Sequence, residues 1–323
     1  MKISLVTPAP ARSRKGNRVT ALRWARILRE LGHRVNIEQA YEGQRCDLLV
    51  ALHARRTHAS LVRFRLKHPD LPIVLALTGT DLYGDIHTDP SAQESLELAS
   101  RLILLQPMGA DALPKHLRGK ARVIYQSVRK PPGTFVPKKS VFEVCVLGHL
   151  RPVKDPFRAA QAARLLPPAS KIRVVQVGAA LSEEMEKKAR AEEASNPRYR
   201  WLGELPRWKA LRLLARSRLL ALSSKMEGGA NVVSEALVCS VPIVSSRISG
   251  SIGILGADYP GYFPTGDTKA LANLLERAEG DADFYETLKA WCNGLRHLVE
   301  PANERKSWES LLEEICGGGR VPV

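Results

Sequence analysis

The chain has 323 residues and a mass of 35.6 kDa, about twice a typical domain, so its length favours two domains or one large α/β domain. Hydrophobic residues make up 44% and charged residues 25%, which excludes a disordered or collagen-like chain. The 49 Lys and Arg against 33 Asp and Glu give a net charge of +16, of which residues 1–140 carry +13. Such an excess fits a nucleic acid, an anionic membrane or a small anionic substrate, and does not choose among them.

Several classes of protein are excluded by inspection. No apolar run approaches the roughly 18 to 20 residues of a membrane-spanning helix, and residues 3–6 are too short a run for a secretory signal, so we expect a cytoplasmic protein. The usual motifs of dinucleotide dehydrogenases, P-loop enzymes, zincins and serine hydrolases are absent. The cysteines are odd in number and far apart, which predicts reduced thiols, mostly in the core: Cys46, Cys145, Cys239, Cys292 and Cys316.

The first 140 residues alternate short β-branched or leucine-rich runs with amphipathic stretches, which is typical of βαβ units around a mostly parallel sheet. The predicted strands are Lys2–Thr7, Asp47–Leu52, Ile73–Leu77, Leu102–Leu105 and Arg122–Tyr125. A helix with Gly32 at its C-terminal cap follows the first strand, because apolar residues recur there at helical spacing: Val19, Leu22, Ala25, Leu28 and Leu31.

The segment Arg129–Ser140 contains three prolines, one glycine and four basic residues without a periodic pattern, which predicts an interdomain linker. After it, strands are predicted near Phe142–Leu147, Ile172–Val177, Leu219–Leu222 and Pro242–Ser245. Helices are predicted near Pro156–Leu166, Glu183–Ala194, Arg207–Arg216, Asn231–Cys239 and Thr268–Glu279. The helix-opening carboxylates of Asp281 and Asp283 are explained by capping, so no metal site is expected there.

Two similar α/β halves therefore follow one another, which predicts two doubly wound, Rossmann-like domains. We place the first at residues 1–136, the second at residues 137–296, and a helical tail at residues 297–323 that packs back on the first domain. Two such domains facing each other would bind a ligand in the cleft between the carboxyl ends of their strands.

The segment Ser223–Leu237 (SSKMEGGANVVSEAL) carries the strongest signal of a site. Gly228 and Gly229 allow a tight turn after a predicted strand, Asn231 can cap the next helix, and the amides of that helix start form a site for a phosphate or diphosphate. Glu227 and Glu235 bracket the segment, and carboxylates suit sugar hydroxyls. The alternative is a glycine-rich loop with a capping box and a surface glutamate.

A second segment, Val146–Pro156 (VLGHLRPVKDP), opens the second half. Gly148 permits close approach of a ligand directly after a strand, and Arg151 and Lys154 can reach a phosphate, the first as a fork and the second as a point charge. Surface-exposed basic residues in a loop are the alternative.

These segments resemble the GT-B glycosyltransferases, in particular the large family 4 of retaining enzymes. Glu227 and Glu235 match its two glutamates separated by seven residues, and Gly148-His-Leu-Arg-Pro-Val-Lys154 matches its G-R-L-x-x-x-K stretch. His149 stands in the usual Arg position, so Arg151 is expected to replace that arginine at the diphosphate. The stretches YRWLGELP, VPIVSS and FPTGDTKALANLL add to the likeness, which covers essentially the whole chain.

A narrower resemblance is to the selenosugar synthases of selenoneine biosynthesis, carried by GNRVTALRWA, LTGTDLYGDI, HLRPVKDPFRAA, MEGGANVVSEA and DYPGYFPTGDT. It implies transfer from a UDP-sugar, most simply UDP-N-acetylglucosamine, to selenophosphate, giving a selenosugar and UDP without a metal or other cofactor. It also implies small-molecule substrates, no nucleic acid, no stable membrane insertion and channelling to a downstream enzyme. The alternative is a family 4 type enzyme with a sugar or lipid-linked acceptor.

The resemblance also implies site residues in the second domain. Glu235 would accept hydrogen bonds from ribose hydroxyls and Glu227 would hold sugar hydroxyls. Arg151 and Lys154 would balance the charge on the leaving UDP. The predicted catalytic residues are these two and Glu227. The remaining donor-binding positions are Gly148, Gly228, Gly229, Ala230, Asn231 and Val232.

The acceptor side rests on strand ends and basic loops. Gly16 and Asn17 start the first helix, where their amides could bind phosphate together with the side chains of Arg12, Lys15 and Arg18; a solvated loop is the alternative. His53, Thr80 and Asp81 follow predicted strands and are expected to line the cleft. The alternatives are a purely structural role for His53 and a plain turn at Thr80 and Asp81. The next helix is predicted to carry a basic face, which is either a solvated surface or a membrane contact. Its residues are Arg55, Arg56, Arg63, Arg65 and Lys67.

Overall fold

A computed structural model describes residues 1–13 and 16–317 as an α/β protein with two parallel sheets of six strands each. The chain forms two compact units, one made of Met1–Ser127 with Pro301–Val323 and the other of Val128–Glu300. The sequence had placed these two boundaries after residues 136 and 296. Among the described residues, no helix is both long enough and apolar enough to cross a membrane.

The strands of the first unit are Lys2–Val6 (β1), Arg34–Glu38 (β2), Leu48–Leu52 (β3), Ile73–Leu77 (β4), Arg101–Leu104 (β5) and Ala121–Val123 (β6). They form a sheet of order β2-β1-β3-β4-β5-β6 in which all neighbours are parallel. Its α-helices are Gly16–Glu30 (α1), His58–Lys67 (α2), Ile86–Thr88 (α3), Pro90–Leu98 (α4) and, from the end of the chain, Pro301–Gly317, which is α12 in chain order.

The core of the first unit follows from its apolar runs. Every residue of β3 and β4 is buried, as expected for central strands of a parallel sheet with helices on both faces. Helix α1 ends at Glu30, and Gly32, which follows two residues later, takes φ +86°, a conformation that glycine adopts without strain. The buried stripe of α1 runs through Ala21, Trp24 and Leu28, whereas Leu22, one of the apolar residues that predicted the helix, is 50% exposed.

Helix α12 belongs to the first unit although it comes last in sequence. Trp308 packs edge-on against Trp24 of α1, with ring centroids 5.0 Å apart. The fully buried carboxylate of Glu304 accepts hydrogen bonds from Arg23 Nε (3.0 Å) and Trp24 Nε1 (2.7 Å), and from the amide of Ser127 (2.9 Å). The end of the chain therefore completes the core of the first unit.

The strands of the second unit are Phe142–Leu147 (β7), Ile172–Val177 (β8), Tyr199–Trp201 (β9), Leu219–Leu222 (β10), Ile243–Ser246 (β11) and Tyr262–Phe263 (β12). They form a sheet of order β12-β11-β10-β7-β8-β9, in which all neighbours are again parallel. Its α-helices are Arg158–Arg164 (α5), Glu183–Ser195 (α6), Arg207–Arg216 (α7), Asn231–Val238 (α8), Ser249–Leu255 (α9), Thr268–Gly280 (α10) and Ala282–Gly294 (α11).

Strand order defines one special position in each sheet. From β7 the chain builds outward to β8 and β9 on one side, and then to β10, β11 and β12 on the other, so the order reverses between β7 and β10. In the first unit the reversal lies between β1 and β3. Ligands of open α/β sheets bind beyond the carboxyl ends of the strands at such a reversal. The loops after β7, β10, β1 and β3 are therefore the places to look for a site.

Candidate active site

The loop after β7 is shaped by a close approach of two glycines. Gly148 and Gly178, which follow β7 and β8, both have φ +155°, and a Cβ on Gly178 would lie 1.9 Å from the carbonyl oxygen of Gly148. Neither the contact nor the φ is compatible with a side chain at Gly178. The loop then forms a short 3₁₀ turn, Pro152–Lys154, with half-buried Arg151 directly before it.

The loops after β7 and β10 meet in an ion pair. Lys154 Nζ contacts Glu227 Oε1, and the two side chains are only 25% and 10% exposed. Ser224 Oγ donates to the same carboxylate oxygen at 2.6 Å. The pair joins two residues that the sequence had placed in separate segments, and it lies at the point where the strand order reverses.

Backbone contacts hold the Glu227 loop in place. The amide of Lys225 donates to the carbonyl of Val153 (2.8 Å), and Ser246 Oγ donates to the carbonyl of Ser224 (2.5 Å). On the other side, a Cβ on Gly250 at the start of α9 would lie 2.0 Å from the carbonyl oxygen of Glu227. The loop is thus packed between the β7 loop and α9, which fixes the backbone of Glu227.

Helix α8 begins directly after the glycines Gly228 and Gly229 of this loop. It starts at Asn231, with Ala230 in the cap position and no side-chain capping bond. The prediction that Asn231 caps the helix is therefore wrong, and so is the capping-box alternative. Ala230 and Val232 are buried, and the backbone amides of this first turn lie at the reversal point of the sheet.

Glu235, one turn into α8, has a cationic partner that the sequence did not suggest. Arg207, the first residue of α7, places Nε 3.1 Å and Nη2 2.9 Å from Glu235 Oε1. The Glu235 side chain is 13% exposed and that of Arg207 is 49% exposed. Each of the two predicted site glutamates is therefore ion-paired with a cation from another element, Glu227 with Lys154 and Glu235 with Arg207.

A small recess lies beneath these loops. The residues that line it include Gly148, Lys154, Gln176, Ser223 and Ser224. Gln176 is buried and accepts a hydrogen bond from Tyr199 Oη (2.9 Å), while its Nε2 has no hydrogen-bond partner among the residues that the structure describes.

In the first unit, the predicted acceptor residues fall into two groups. Gly16 and Asn17 are the first residues of α1 and Arg18 is half-buried in its first turn, whereas Arg12 is exposed. Lys15 lies outside the described residues. His53, Thr80 and Asp81 come together at the carboxyl ends of β3 and β4 and form the second group, described next.

His53 is buried in a conformation that few non-glycine residues adopt. It takes φ +85° directly after β3, and its Nε2 lies 3.3 Å from Thr80 Oγ1. The backbone N–H of Arg56 points at Nδ1 from 3.5 Å, which places the ring proton on Nε2. Burial lowers the pKa of the His53 imidazole, and the nearby Arg56 and Arg55 act in the same direction against Asp81 and Asp85. The ring is therefore neutral near pH 7.

Asp81 is fully buried, and hydrogen bonds within the fold occupy its carboxylate. Oδ1 accepts from the amides of Thr78 and Gly79, both at 2.9 Å, and Oδ2 accepts from the amide of Ala54 at 3.0 Å. These bonds tie the turn after β4 to the turn after β3. The geometry assigns Asp81 a structural part in placing its neighbours, rather than the direct substrate contact that the sequence suggested.

Asp85 completes the cluster. Asp81–Asp85 forms a single π-helical turn, a feature that often marks functional sites. It places Asp85 Oδ2 3.8 Å from His53 Nε2 and 3.1 Å from Arg55 Nε. Sequence reasoning missed Asp85, although its spacing of four from Asp81 was a usable signal.

The remaining acidic residues and the thiols have structural explanations. Asp281 caps α11 by accepting from the amide of Phe284 at 2.9 Å, as predicted. Burial raises the pKa of Cys46 and Cys292 to about 11, so both thiols stay protonated. Within residues 1–13 and 16–317, no group of three or more His, Cys, Asp or Glu residues is arranged to hold a metal ion.

The β7 and β10 loops lie within a recognised domain. Residues 134–291 match the family model of the glycosyl transferases group 1. No curated protein matches the chain in a sequence comparison.

Solved structures share the fold over nearly the whole chain. HepE from Anabaena in complex with UDP and glucose is 17% identical, with a TM-score of 0.74 over 97% of this chain and 100% of that one. Sucrose-phosphate synthase from Thermosynechococcus elongatus is 13% identical, with a TM-score of 0.78 over 98% and 100%. An E. coli trehalose-6-phosphate structure bound with UDP-2-fluoro glucose is 12% identical, with a TM-score of 0.74 over 100% of both chains.

These findings confirm the predicted fold class, since two parallel six-stranded sheets with these neighbours define the GT-B fold. The match to the group 1 glycosyl transferases covers most of the second unit.

Proposed function

We propose that the chain is a glycosyltransferase, and that it takes its sugar from a UDP-sugar held at the reversal point of the second sheet. The observation that carries this proposal is the junction of the β7 and β10 loops, where Lys154 contacts Glu227 next to the first turn of α8. A cation, a carboxylate and a helix start together offer groups for a diphosphate and for sugar hydroxyls. The solved UDP complexes of the same fold support it.

In this proposal Glu235 accepts hydrogen bonds from the ribose hydroxyls and Glu227 from sugar hydroxyls. The amides from Gly229 to Val232 donate to phosphate or sugar oxygens. Lys154 turns from Glu227 toward the diphosphate as negative charge develops there, and Arg151 assists it from the start of the 3₁₀ turn. Lys154 already pairs with Glu227, so in the complex with the donor one cation serves both the carboxylate and the diphosphate. We therefore expect the loss of Lys154 to lower turnover more than it lowers donor binding.

For the acceptor we propose selenophosphate, with UDP-N-acetylglucosamine as the donor, in the biosynthesis of selenoneine. The anionic selenium forms a C–Se bond to the anomeric carbon while the C–O bond to the diphosphate breaks, and UDP leaves with the electron pair. The product of this step still carries the phosphoryl group on selenium, and hydrolysis of its P–Se bond by water gives the selenosugar and phosphate. A soft, already anionic nucleophile needs no general base. The net +13 of residues 1–140 supports an anionic acceptor there.

The setting of this reaction is part of the proposal. We expect it to take place in the cytoplasm without a metal or other cofactor, and the selenosugar to pass to a downstream enzyme of the same pathway. Turnover in the presence of a chelator tests the metal requirement, because a metal-dependent transferase stops when the metal is removed.

The test is mass spectrometry of the purified protein with UDP-N-acetylglucosamine and freshly prepared selenophosphate, with each substrate omitted in turn. A selenium isotope pattern on an N-acetylhexosamine product, together with UDP release, is the expected result. UDP binding without any selenium product would contradict the acceptor assignment and leave the donor assignment intact.

A second candidate acceptor is a sugar, favoured by the cluster around His53. A neutral imidazole N–H and the Asp85 carboxylate, 3.8 Å apart, can donate to and accept from one hydroxyl, which suits a sugar better than a dianion. A lipid-linked acceptor has less support, because two cations of the basic face on α2 have partners within the fold. Arg63 pairs with Glu42, and Arg65 donates to the carbonyl oxygens of Leu71 and Leu98. Release of UDP from UDP-sugar in the presence of soluble sugars or sugar phosphates, but not of selenophosphate, would select this candidate.

A further inference from the structure

Arg207 is the strongest feature of the second unit that the roles above leave unused. It opens α7, the helix that follows the turn after β9, while Glu235 lies on the neighbouring helix α8. Its Nε and Nη2 both approach Glu235 Oε1, at 3.1 and 2.9 Å. Two donors of one guanidinium on one carboxylate oxygen fix the position of that oxygen more firmly than a single flexible ammonium contact does.

Glu235 stands where a carboxylate needs such support. Its side chain is 13% exposed, and its negative charge contributes, after burial, to raising the pKa of the neighbouring thiols Cys145 and Cys239. A carboxylate with little access to water is stabilised by a charged hydrogen-bonding partner. Arg207 supplies that partner from the more exposed side, where its own side chain remains 49% exposed.

We infer that Arg207 is a positioning residue for the nucleotide: it holds Glu235 in the orientation in which the carboxylate reads the ribose hydroxyls. The inference rests on the proposed function, in which Glu235 binds the ribose. Arg207 does not take part in the transfer step. Its contribution is to affinity for the nucleotide and to discrimination between a ribose and a deoxyribose.

The experiment measures binding of UDP and of 2′-deoxy-UDP by isothermal titration calorimetry. The variants are Arg207→Gln, Arg207→Lys, Glu235→Gln and the double variant with both glutamines. Arg212→Gln is the matched control, because Arg212 lies on the same helix and its guanidinium stacks on the exposed ring of Trp208. Thermal unfolding of each variant confirms that the protein is folded, as expected for substitution of a half-exposed side chain.

We expect Arg207→Gln to weaken UDP binding about 10-fold and to bring the affinities for UDP and 2′-deoxy-UDP closer together, because an ionised hydrogen-bond partner is lost. In the Glu235→Gln background the same change has an effect of less than about twofold, since the two residues act as a unit. Arg207→Lys restores part of the affinity but less of the discrimination, because an ammonium lacks the fork geometry. Arg212→Gln binds like the unaltered protein.

Two results would overturn the inference, and they differ in what else they remove. If Glu235→Gln leaves UDP affinity and discrimination unchanged, the donor-site assignment fails and the inference fails with it. If Glu235→Gln weakens binding and loses discrimination while Arg207→Gln behaves like Arg212→Gln, the donor site stands and the positioning role of Arg207 is wrong.

Discussion

The two units have the same kind of sheet but hold their candidate site residues differently. In the second unit, both candidate glutamates form ion pairs: Glu227 with Lys154 between two loops, and Glu235 with Arg207 between helices α8 and α7. In the first unit, the Asp81 carboxylate accepts hydrogen bonds from three backbone amides. These bonds fix the turns around a neutral, buried His53. One edge is built from paired charges and the other from a hydrogen-bonded turn that presents a histidine.

This difference suggests a division of labour. Paired charges can exchange partners when an anionic ligand arrives, which suits a site for a nucleoside diphosphate. A histidine fixed by burial and backbone bonds keeps one tautomer, which suits the positioning of an acceptor. The first unit also needs the end of the chain to complete its core, through Glu304 and Trp308, whereas the second is continuous in sequence.

The largest effect is expected where the first unit closes on the end of its chain. Glu304→Ala removes the buried carboxylate that Arg23, Trp24 and the amide of Ser127 share, and we expect the free energy of unfolding to fall by about 3–5 kcal/mol. Denaturant titration followed by tryptophan fluorescence measures it. Glu309→Ala, on the exposed side of the same helix, is the control and should change stability by less than about 0.5 kcal/mol. Equal effects of the two variants would show that Glu304 does not hold the unit together.

In the second unit, Lys154→Met tests whether the paired cation acts on the leaving group. We expect kcat to fall about 100-fold while the Kd for the intact UDP-sugar changes less than about threefold, because the diphosphate carries more negative charge in the transition state than in the bound UDP-sugar. Steady-state UDP release and calorimetry with the UDP-sugar separate the two quantities. Lys225→Met, an exposed lysine of the adjacent loop, is the control. A loss of UDP-sugar affinity without a loss of kcat would reverse the assignment.

Gly178→Ala tests the close approach that shapes the β7 loop. Its Cβ would overlap the carbonyl oxygen of Gly148, so we expect a loss of about 1–3 kcal/mol in the free energy of unfolding and weaker UDP binding. Gly294→Ala in helix α11, where an added Cβ meets open space, should be neutral or slightly stabilising. The contact between the two glycines is unimportant if both variants unfold at the same denaturant concentration.

The smallest effect is a pH dependence in the first unit. Burial lowers the pKa of His53 in the folded protein below its ordinary value near 6.5, so the unfolded chain takes up the proton first. Stability associated with His53 is therefore complete above about pH 6.5 and declines as the pH falls. His53→Asn, which tolerates the positive φ, should lose less stability than the unaltered protein between pH 7 and pH 5.

Denaturation curves at several pH values measure this difference. His116→Asn, at a histidine whose side chain is 66% exposed, serves as the control and should follow the unaltered protein. A parallel pH dependence of the His53→Asn variant would show that another group titrates.

Much of the fold could be predicted because local patterns dictate it. The buried runs of β3, β4 and β8 and the restart of alternation after Ser140 indicated two parallel sheets. Short edge strands such as β9 and β12, of three and two residues, have too little sequence to show a period. The spacing of apolar residues predicted helix α1 but not its buried face: Leu22 is exposed, because two faces of that helix carry apolar residues and only one packs against the core.

The sequence by itself determined the α/β class, the position of Glu227 and Glu235 around a glycine-rich turn, and the placement of Lys154 and His53 after strands. Only the tertiary structure decided which side chains meet. Lys154 and Glu227 are 73 positions apart, Arg207 and Glu235 are 28 apart, and Glu304 meets Ser127 across 177 positions. Such pairs depend on the order of strands in the sheet and on helix packing, and neither is encoded in the spacing of residues along one segment.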